Sequence, residues 1–240
     1  MKLIHGLKRA VSLLAIGLFS AGQIACGTDI VGVITLTGTP PPEKEITPLM
    51  ENPDCAKMHA TTPTTHFYVV GAKGELADVV VSLKGVTGKS TGASQPPAVL
   101  DQKGCLYTPQ ILAIQTGQKL VVKNSDPCVH NVHATPAVPG NPDSNQVQMP
   151  GGADLTYTYT QPEMFLRFKC DVHPWMSAYV GVLNNPFYSV TGDNGTFSLK
   201  GLPAGDYEVA AWHEKYGEQV QKIKVGDGEA KTIDFKFKAQ

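Results

Sequence analysis

Residues 168–176 read Phe168-Lys169-Cys170-Asp171-Val172-His173-Pro174-Trp175-Met176, and within them Cys170, His173 and Met176 form the pattern C-x-x-H-x-x-M. A thiolate, an imidazole and a thioether make up most of a mononuclear blue-copper centre, whose remaining donor is a second imidazole. Val129-His130-Asn131-Val132-His133, some way upstream, offers two candidates. Copper alternates between Cu(I), which favours soft sulfur, and Cu(II), which favours nitrogen and tetragonal geometry. A trigonal His-His-Cys set with a long, weak axial Met suits both states moderately, so little has to move on electron transfer. A short loop can deliver three such ligands only if it is stiff. Pro174 fixes its own φ and biases His173 to an extended conformation.

Other readings of these residues stand beside copper. Cys170 alone could be a buried thiol or half a disulfide, and Met176 alone could fill core space. His130, His133, Cys170 and His173 together could bind zinc, whose sites also use Cys and His. On local chemistry His133 is as good a ligand as His130.

The elements that must position these groups are strands. Gly 24 and Pro 18 are scattered among short β-branched runs, and no long stretch of period 3.6 follows the N-terminus. The expected fold class is therefore all-β. A net charge of −1, 17% charged residues and no basic run argue against a nucleic-acid partner, which needs clustered Lys and Arg. Residues 1–25 read as a signal peptide. Lys2, Lys8 and Arg9 precede an apolar stretch at 11–19 that is short for a bilayer span, and small residues follow at Ser20, Ala21 and Gly22. An uncleaved anchor is the alternative. Ile24-Ala25-Cys26 also resembles the end of a bacterial lipoprotein signal, with Gln23 where Leu is usual. Cys26 would then carry a lipid, the chain's one route to a membrane.

Export permits disulfides. The chain has five cysteines, Cys26, Cys55, Cys105, Cys128 and Cys170. With Cys170 on a metal and Cys26 lipidated or removed, Cys55 and Cys105 are the natural pair, a closure that stabilises by about 4 kcal/mol in the chain-entropy model. Cys128 is then left over, as a small buried hydrophobe or a free thiol. Its pairing with either of the others stays open.

Along the chain, residues 29–37 read as a strand and 43–64 as a polar, ordered loop held by its disulfide. Strands follow at 66–70 and 77–84, then a Gly/Ser/Thr-rich loop at 85–95. His59 and His66 have no ligand-like spacing and read as ordinary polar residues. Strands are expected at 109–114 and 119–124, and a long Pro/Gly/Asn loop at 136–152. Residues 155–160 alternate, so their threonines should face water. Leu166, Phe168 and Cys170 share one face of the next strand, which aims Cys170 inward. Ala178, Val180 and Val182 form the return strand.

Y-T-P-Q-I-L-A-I-Q-T-G-Q-K-L-V-V-K-N-S-D, then H-N-V-H, then F-K-C-D-V-H-P-W-M resembles the cupredoxins over residues 98–183. The short C-x-x-H-x-x-M loop is most like that of amicyanin. The resemblance implies a Greek-key β-sandwich with one type 1 copper. It places the ligands at His130, Cys170, His173 and Met176, because the family's upstream histidine is the one followed by Asn. It also makes Asn131 the residue that ties the two ligand segments together. Cys128-Val129 departs from the proline common before that histidine, which leaves the upstream wall of the site in question. The resemblance says nothing for an amine dehydrogenase partner.

Residues 186–240 differ. V-T-G-D-N-G-T-F-S-L followed by G-L-P-A-G-D-Y resembles the carboxypeptidase-regulatory-like, transthyretin-like β-sandwich modules. Ile233, Phe235 and Phe237 read as a last half-buried strand. Such modules usually begin with strands like those of the 29–95 segment. We therefore expect a discontinuous sandwich with the copper unit inserted in it. Trp212-His213-Glu214 lacks a nucleophile and a metal spacing, and reads as a packed Trp with a surface His-Glu pair.

The functional expectation is an exported, periplasmic or cell-surface electron carrier and not an enzyme. Its partner would be a redox protein such as a c-type cytochrome or a membrane oxidoreductase, docking on a rim formed by Pro174 and Trp175. The alternative is a copper storage or envelope-binding module without redox turnover.

Overall fold

Apolar–polar alternation sorts the strands into two pairs of facing sheets. The computed structural model describes residues 27–226, 228 and 230–239; the expected signal peptide at 1–25 and Cys26 lie outside the described residues. In chain order the elements are β1 (Thr28–Thr37), α1 (Thr47–Glu51), α2 (Pro53–Ala56), β2 (Val80–Lys84), β3 (Ala98–Gln102), β4 (Tyr107–Thr108), β5 (Ile111–Gln115), β6 (Lys119–Asn124), β7 (His130–Thr135), β8 (Ser144–Gln148), β9 (Leu155–Thr158), β10 (Glu163–Lys169), β11 (Ser177–Leu183), β12 (Tyr188–Val190), β13 (Thr196–Leu202), β14 (Gly205–His213), β15 (Gly217–Val225), β16 (Lys231–Thr232) and β17 (Phe235–Lys238).

The first sandwich is built from the 98–183 segment, the one that resembles the cupredoxins. One sheet runs β5-β11-β10-β7-β8 and the other β4-β3-β6-β9. Pairs β5–β11 and β3–β6 are parallel while their neighbours are antiparallel, so the chain crosses between the sheets rather than meandering. Leu100, Leu120, Val122 and Tyr157 meet Val132, Leu166, Phe168 and Val180 in one apolar core. Each such side chain, fully buried, contributes about 1.5–3 kcal/mol. Along β9 and just beyond it, Tyr157 and Tyr159 are buried while Thr156, Thr158 and Thr160 are exposed, as the alternation predicts.

The second sandwich carries the C-terminal segment that resembles the transthyretin-like modules. One sheet runs β13-β1-β16 with β17 also on β1, and the other β12-β2-β14-β15. Strands β1 and β2 precede the cupredoxin strands, yet pair with β13, β17, β12 and β14 after them. The sandwich is thus discontinuous in sequence. At Gly32 any Cβ would lie 1.8 Å from the Ile233 carbonyl oxygen, so only glycine lets the last segment approach β1. Val80, Ile111, Ala113 and Leu183 form a small cluster that joins the two sandwiches.

Three expectations need correction. Residues 43–64 are not simply a loop: they contain α1 and α2. A proline opens each helix, and Asn52 caps α2 by accepting from the Asp54 and Cys55 N–H groups. Residues 66–70 form no strand; only isolated bridges occur nearby, at Thr64 and Val70. The 136–152 stretch carries the edge strand β8, whose polar face leaves no alternation to read. The Cys55–Cys105 disulfide is formed across a separation of 50 residues, and Cys128 is a free, half-buried thiol.

Candidate metal centre

Strand β7 begins at His130, and the two-residue period of a strand decides which histidine faces inward. His130, Val132 and Ala134 point into the cupredoxin core and are buried. His133 falls on the opposite face. There its Nδ1 lies 2.7 Å from Asp171 Oδ2 and 3.3 Å from Asn145 Nδ2. Strand β10 pairs with β7 so that Lys169 lies opposite His133, which brings Cys170 beside the start of β7. The Asn131 N–H then donates to Cys170 Sγ at 3.4 Å.

The turn after Cys170 is closed by its own backbone. Cys170 N–H donates to the Met176 carbonyl at 3.3 Å, and Met176 N–H to the His173 carbonyl at 2.9 Å. His173 is thereby folded back over Cys170, with its Nδ1 3.7 Å from Sγ. The two imidazoles meet through Nδ1 at 3.0 Å. Nitrogens that close cannot both carry a proton, so at least one lone pair is aimed into the centre. Met176 is fully buried in the same core cluster as Cys170. Asn131 ties the segments: its Oδ1 accepts from Asp171 N–H at 3.0 Å, and its amide nitrogen donates to Asn145 Oδ1.

The electrostatics prepare these donors. Burial would raise the Cys170 thiol. Hydrogen bonding to His130 and to the backbone N–H groups of Asn131, His173 and Val172 overrides it and holds the thiol below its ordinary value. Burial and the neighbouring His130 hold His173 low, toward the neutral form a ligand must have. At His130 burial is outweighed by the bonds to Asp126 and Cys170, and its pKa is raised. Asp126 is the partner sequence reading missed. Its carboxylate accepts from His130 Nε2–H at 2.9 Å and from the Gly104 and Cys105 N–H groups at 2.6 and 2.7 Å. That bond fixes the tautomer and leaves Nδ1 as the acceptor turned to the centre. Nothing in the run Asp126-Pro127-Cys128-Val129-His130 marks this contact, because it depends on how the loop turns.

Two further neighbours come from the disulfide-bearing segment. Asn52 Nδ2 lies 3.4 Å from His173 Nε2, and the Trp175 indole N–H donates to the Cys105 carbonyl at 3.0 Å. Trp175 is therefore half-buried and held, with its ring centroid 5.1 Å from that of His173, whereas Pro174 and Val172 are exposed. His59 bonds the Gly104 carbonyl at 2.7 Å and joins none of the donor groups found among the described residues. The His213 reading is corrected. His213 is buried against Tyr216 and accepts from the Lys215 N–H at 3.1 Å, so it is no surface residue.

Do these residues fit a metal? His130, Cys170 and His173 offer donor atoms that all lie within 4.8 Å of one another. That group has no carboxylate and no fourth His or Cys, but a buried thioether follows it in the same turn. Two imidazoles, a thiolate and a thioether fit copper better than zinc, which closes its structural sites with four N, S or O donors.

Residues 174–238 match the carboxypeptidase regulatory-like domain family. The match starts before residue 186, although Ser177–Leu183 pairs with β5 and β10 in the cupredoxin sheet. Among solved structures, a methionine-to-alanine variant of amicyanin in its Cu(I) form is 19% identical. It covers 42% of this chain and 97% of its own at a TM-score of 0.33. A purple cupredoxin from Nitrosopumilus maritimus is 20% identical, over 35% of this chain and 98% of its own, at a TM-score of 0.30. The copper-containing nitrite reductase from Thermus scotoductus SA-01 is 20% identical over 37% of this chain, at a TM-score of 0.33. This chain spans only 23% of that reductase. No curated protein sequence matches the chain.

Proposed function

We propose that this chain is an exported, non-enzymatic carrier of single electrons that holds one type 1 copper ion. The observation that carries the reading is the convergence of His130 Nδ1, His173 Nδ1 and Cys170 Sγ in a buried pocket beside Met176. Bound copper would supply reversible one-electron chemistry. The chain's own residues do the rest. His130, Cys170 and His173 would hold the ion, and Met176 would serve as the weak axial donor. Asp126 orients His130, while Asn131 and the Cys170–Met176 backbone bond keep the ligand segments in place. A site already held in this way needs little rearrangement between oxidation states.

Electrons would enter and leave over the face where Pro174 and Val172 are exposed and Trp175 touches His173. A small apolar patch suffices for a transient redox encounter. The partner would be a c-type cytochrome or a membrane oxidoreductase in the envelope. Voltammetry on copper-loaded protein tests this reading. A reversible one-electron wave, moved in Met176→Gln with copper still bound, is the expected result. Copper that binds but does not cycle would instead indicate storage or delivery.

A further inference from the structure

Behind the two imidazoles lies a group of three sulfurs that the electron-transfer reading does not use. Cys128 Sγ is 3.8 Å from Cys105 Sγ, itself bonded to Cys55, and 3.6 Å from His130 Nε2. Cys55 and Cys105 in turn lie with His173 in a group whose donor atoms are all within 4.8 Å of one another. A free thiol in contact with a disulfide sulfur is the arrangement that thiol–disulfide exchange requires, since the reaction proceeds by direct attack of sulfur on sulfur. Cys128 is half-buried rather than sealed in the core. Cys55 sits on the short α2, whose departure would disturb little β-structure.

We propose that Cys128, Cys105 and Cys55 form an exchange site in which the disulfide moves between two pairings beside the copper ligands. Cys128 loses its proton to solvent and its sulfur attacks Cys105 Sγ. The Cys105–Cys128 bond forms as the Cys55–Cys105 bond breaks, and Cys55 leaves with the electron pair and takes up a proton. One disulfide and one thiol stand on each side, so the step needs no external oxidant or reductant. The exchange draws Cys128 toward Cys105 and away from His130 Nε2. It also frees the segment whose Asn52 touches His173. The wall behind both imidazoles thus has two covalent forms. An exogenous disulfide would enter the same relay by exchange with the Cys128 thiol.

Disulfide mapping tests the proposal without reading copper activity. Full-length copper-loaded protein is held for hours, the timescale of uncatalysed disulfide rearrangement. It is then quenched in acid, alkylated with N-ethylmaleimide and digested without reduction for mass spectrometry. The expected result is recovery of both Cys55–Cys105 and Cys105–Cys128 peptides, with alkylated Cys55 at least ten times more abundant than in Cys128→Ser. Cys55→Ser, checked for folding by circular dichroism and then given glutathione disulfide as the oxidant, should form the Cys105–Cys128 bond. If, among Cys55, Cys105 and Cys128, only Cys128 takes label, and Cys105 and Cys128 stay free in a folded Cys55→Ser given the same oxidant, the proposal is overturned.

Discussion

The two β-sandwiches in this chain are built alike and differ in what they bury. The transthyretin-like sandwich packs Ile30, Ile34, Phe197, Leu199, Phe235 and Phe237 against Val81, Leu83 and Val209 in an apolar core, with Thr28, Ser82, Thr191 and His213 buried beside it. The cupredoxin sandwich has a comparable apolar core, but one end holds Asp126, His130, Asn131, His173, Gln102 and Gln148, all buried. Buried polar groups are tolerated only when they are bonded. Most are here: Gln102 Nε2 donates to Gln148 Oε1 at 2.7 Å while Gln102 Oε1 has no partner, Asp126 accepts three hydrogen bonds, and Asn131 bridges the ligand segments. One sandwich therefore resembles a scaffold and the other a scaffold with a polar site set into its end.

That contrast can be broken most sharply with two matched truncations. Phe168→Ala and Phe235→Ala each remove a fully buried ring, from the cupredoxin and the transthyretin-like core respectively. Each should cost about 3–5 kcal/mol. Denaturant titrations followed by copper absorbance and by circular dichroism should show copper binding weakened only by the first. Equal loss of colour in both would mean that the sandwiches unfold as one unit.

Asp126→Ala sharpens the comparison at the site. It strips a buried carboxylate from His130 and leaves the Gly104 and Cys105 N–H groups without their acceptor. The expected cost is about 3 kcal/mol in stability and roughly 10–100-fold in copper affinity, read by urea unfolding and by competition with a chelator. An unchanged affinity would reduce Asp126 to a structural group.

The scaffold has its own pH signature. Burial, with Lys215 nearby, lowers the His213 pKa to about 4 from 6.5. Between those values the unfolded chain binds more protons than the folded one, so stability falls as the pH drops through that window. The loss should be about 3 kcal/mol and absent in His213→Phe, as acid titrations of both proteins will show. Asp78 works in the opposite sense and more weakly. Burial raises its pKa from 3.8 to about 6, against the opposing charge of His66. Its ionisation therefore costs stability as the pH rises through that window. Asp78→Asn should gain about 1 kcal/mol above pH ~6, after allowance for solvent screening.

The sequence showed these features unequally. The strand phase of Leu166, Phe168 and Cys170 was readable because a half-buried strand writes its orientation into its alternation. The same rule distinguishes His130 from His133, once β7 is known to start at His130. Strand β8 was hidden because Ser144-Asn145-Gln146-Val147-Gln148 lies at a sheet edge, with only Gln148 buried. Helix α2 did carry a signal, Asn52 followed by Pro53 and Asp54, that cap and first-turn preferences would have revealed. The contact of Asp126 with His130 depends on how one short loop turns, and those of Asn52 with His173 and of Cys128 with Cys105 join segments far apart in the chain. No periodicity encodes them; they follow only from the folded path of the chain.

The central claim is that His130, Cys170, His173 and Met176 hold copper through a thiolate. Its most direct test is the visible spectrum of protein lacking residues 1–25 titrated with Cu(II), repeated on Cys170→Ser. An intense blue absorption that saturates at one equivalent and disappears in the variant is the predicted result. A colourless metal complex, or colour that survives in Cys170→Ser, would contradict it.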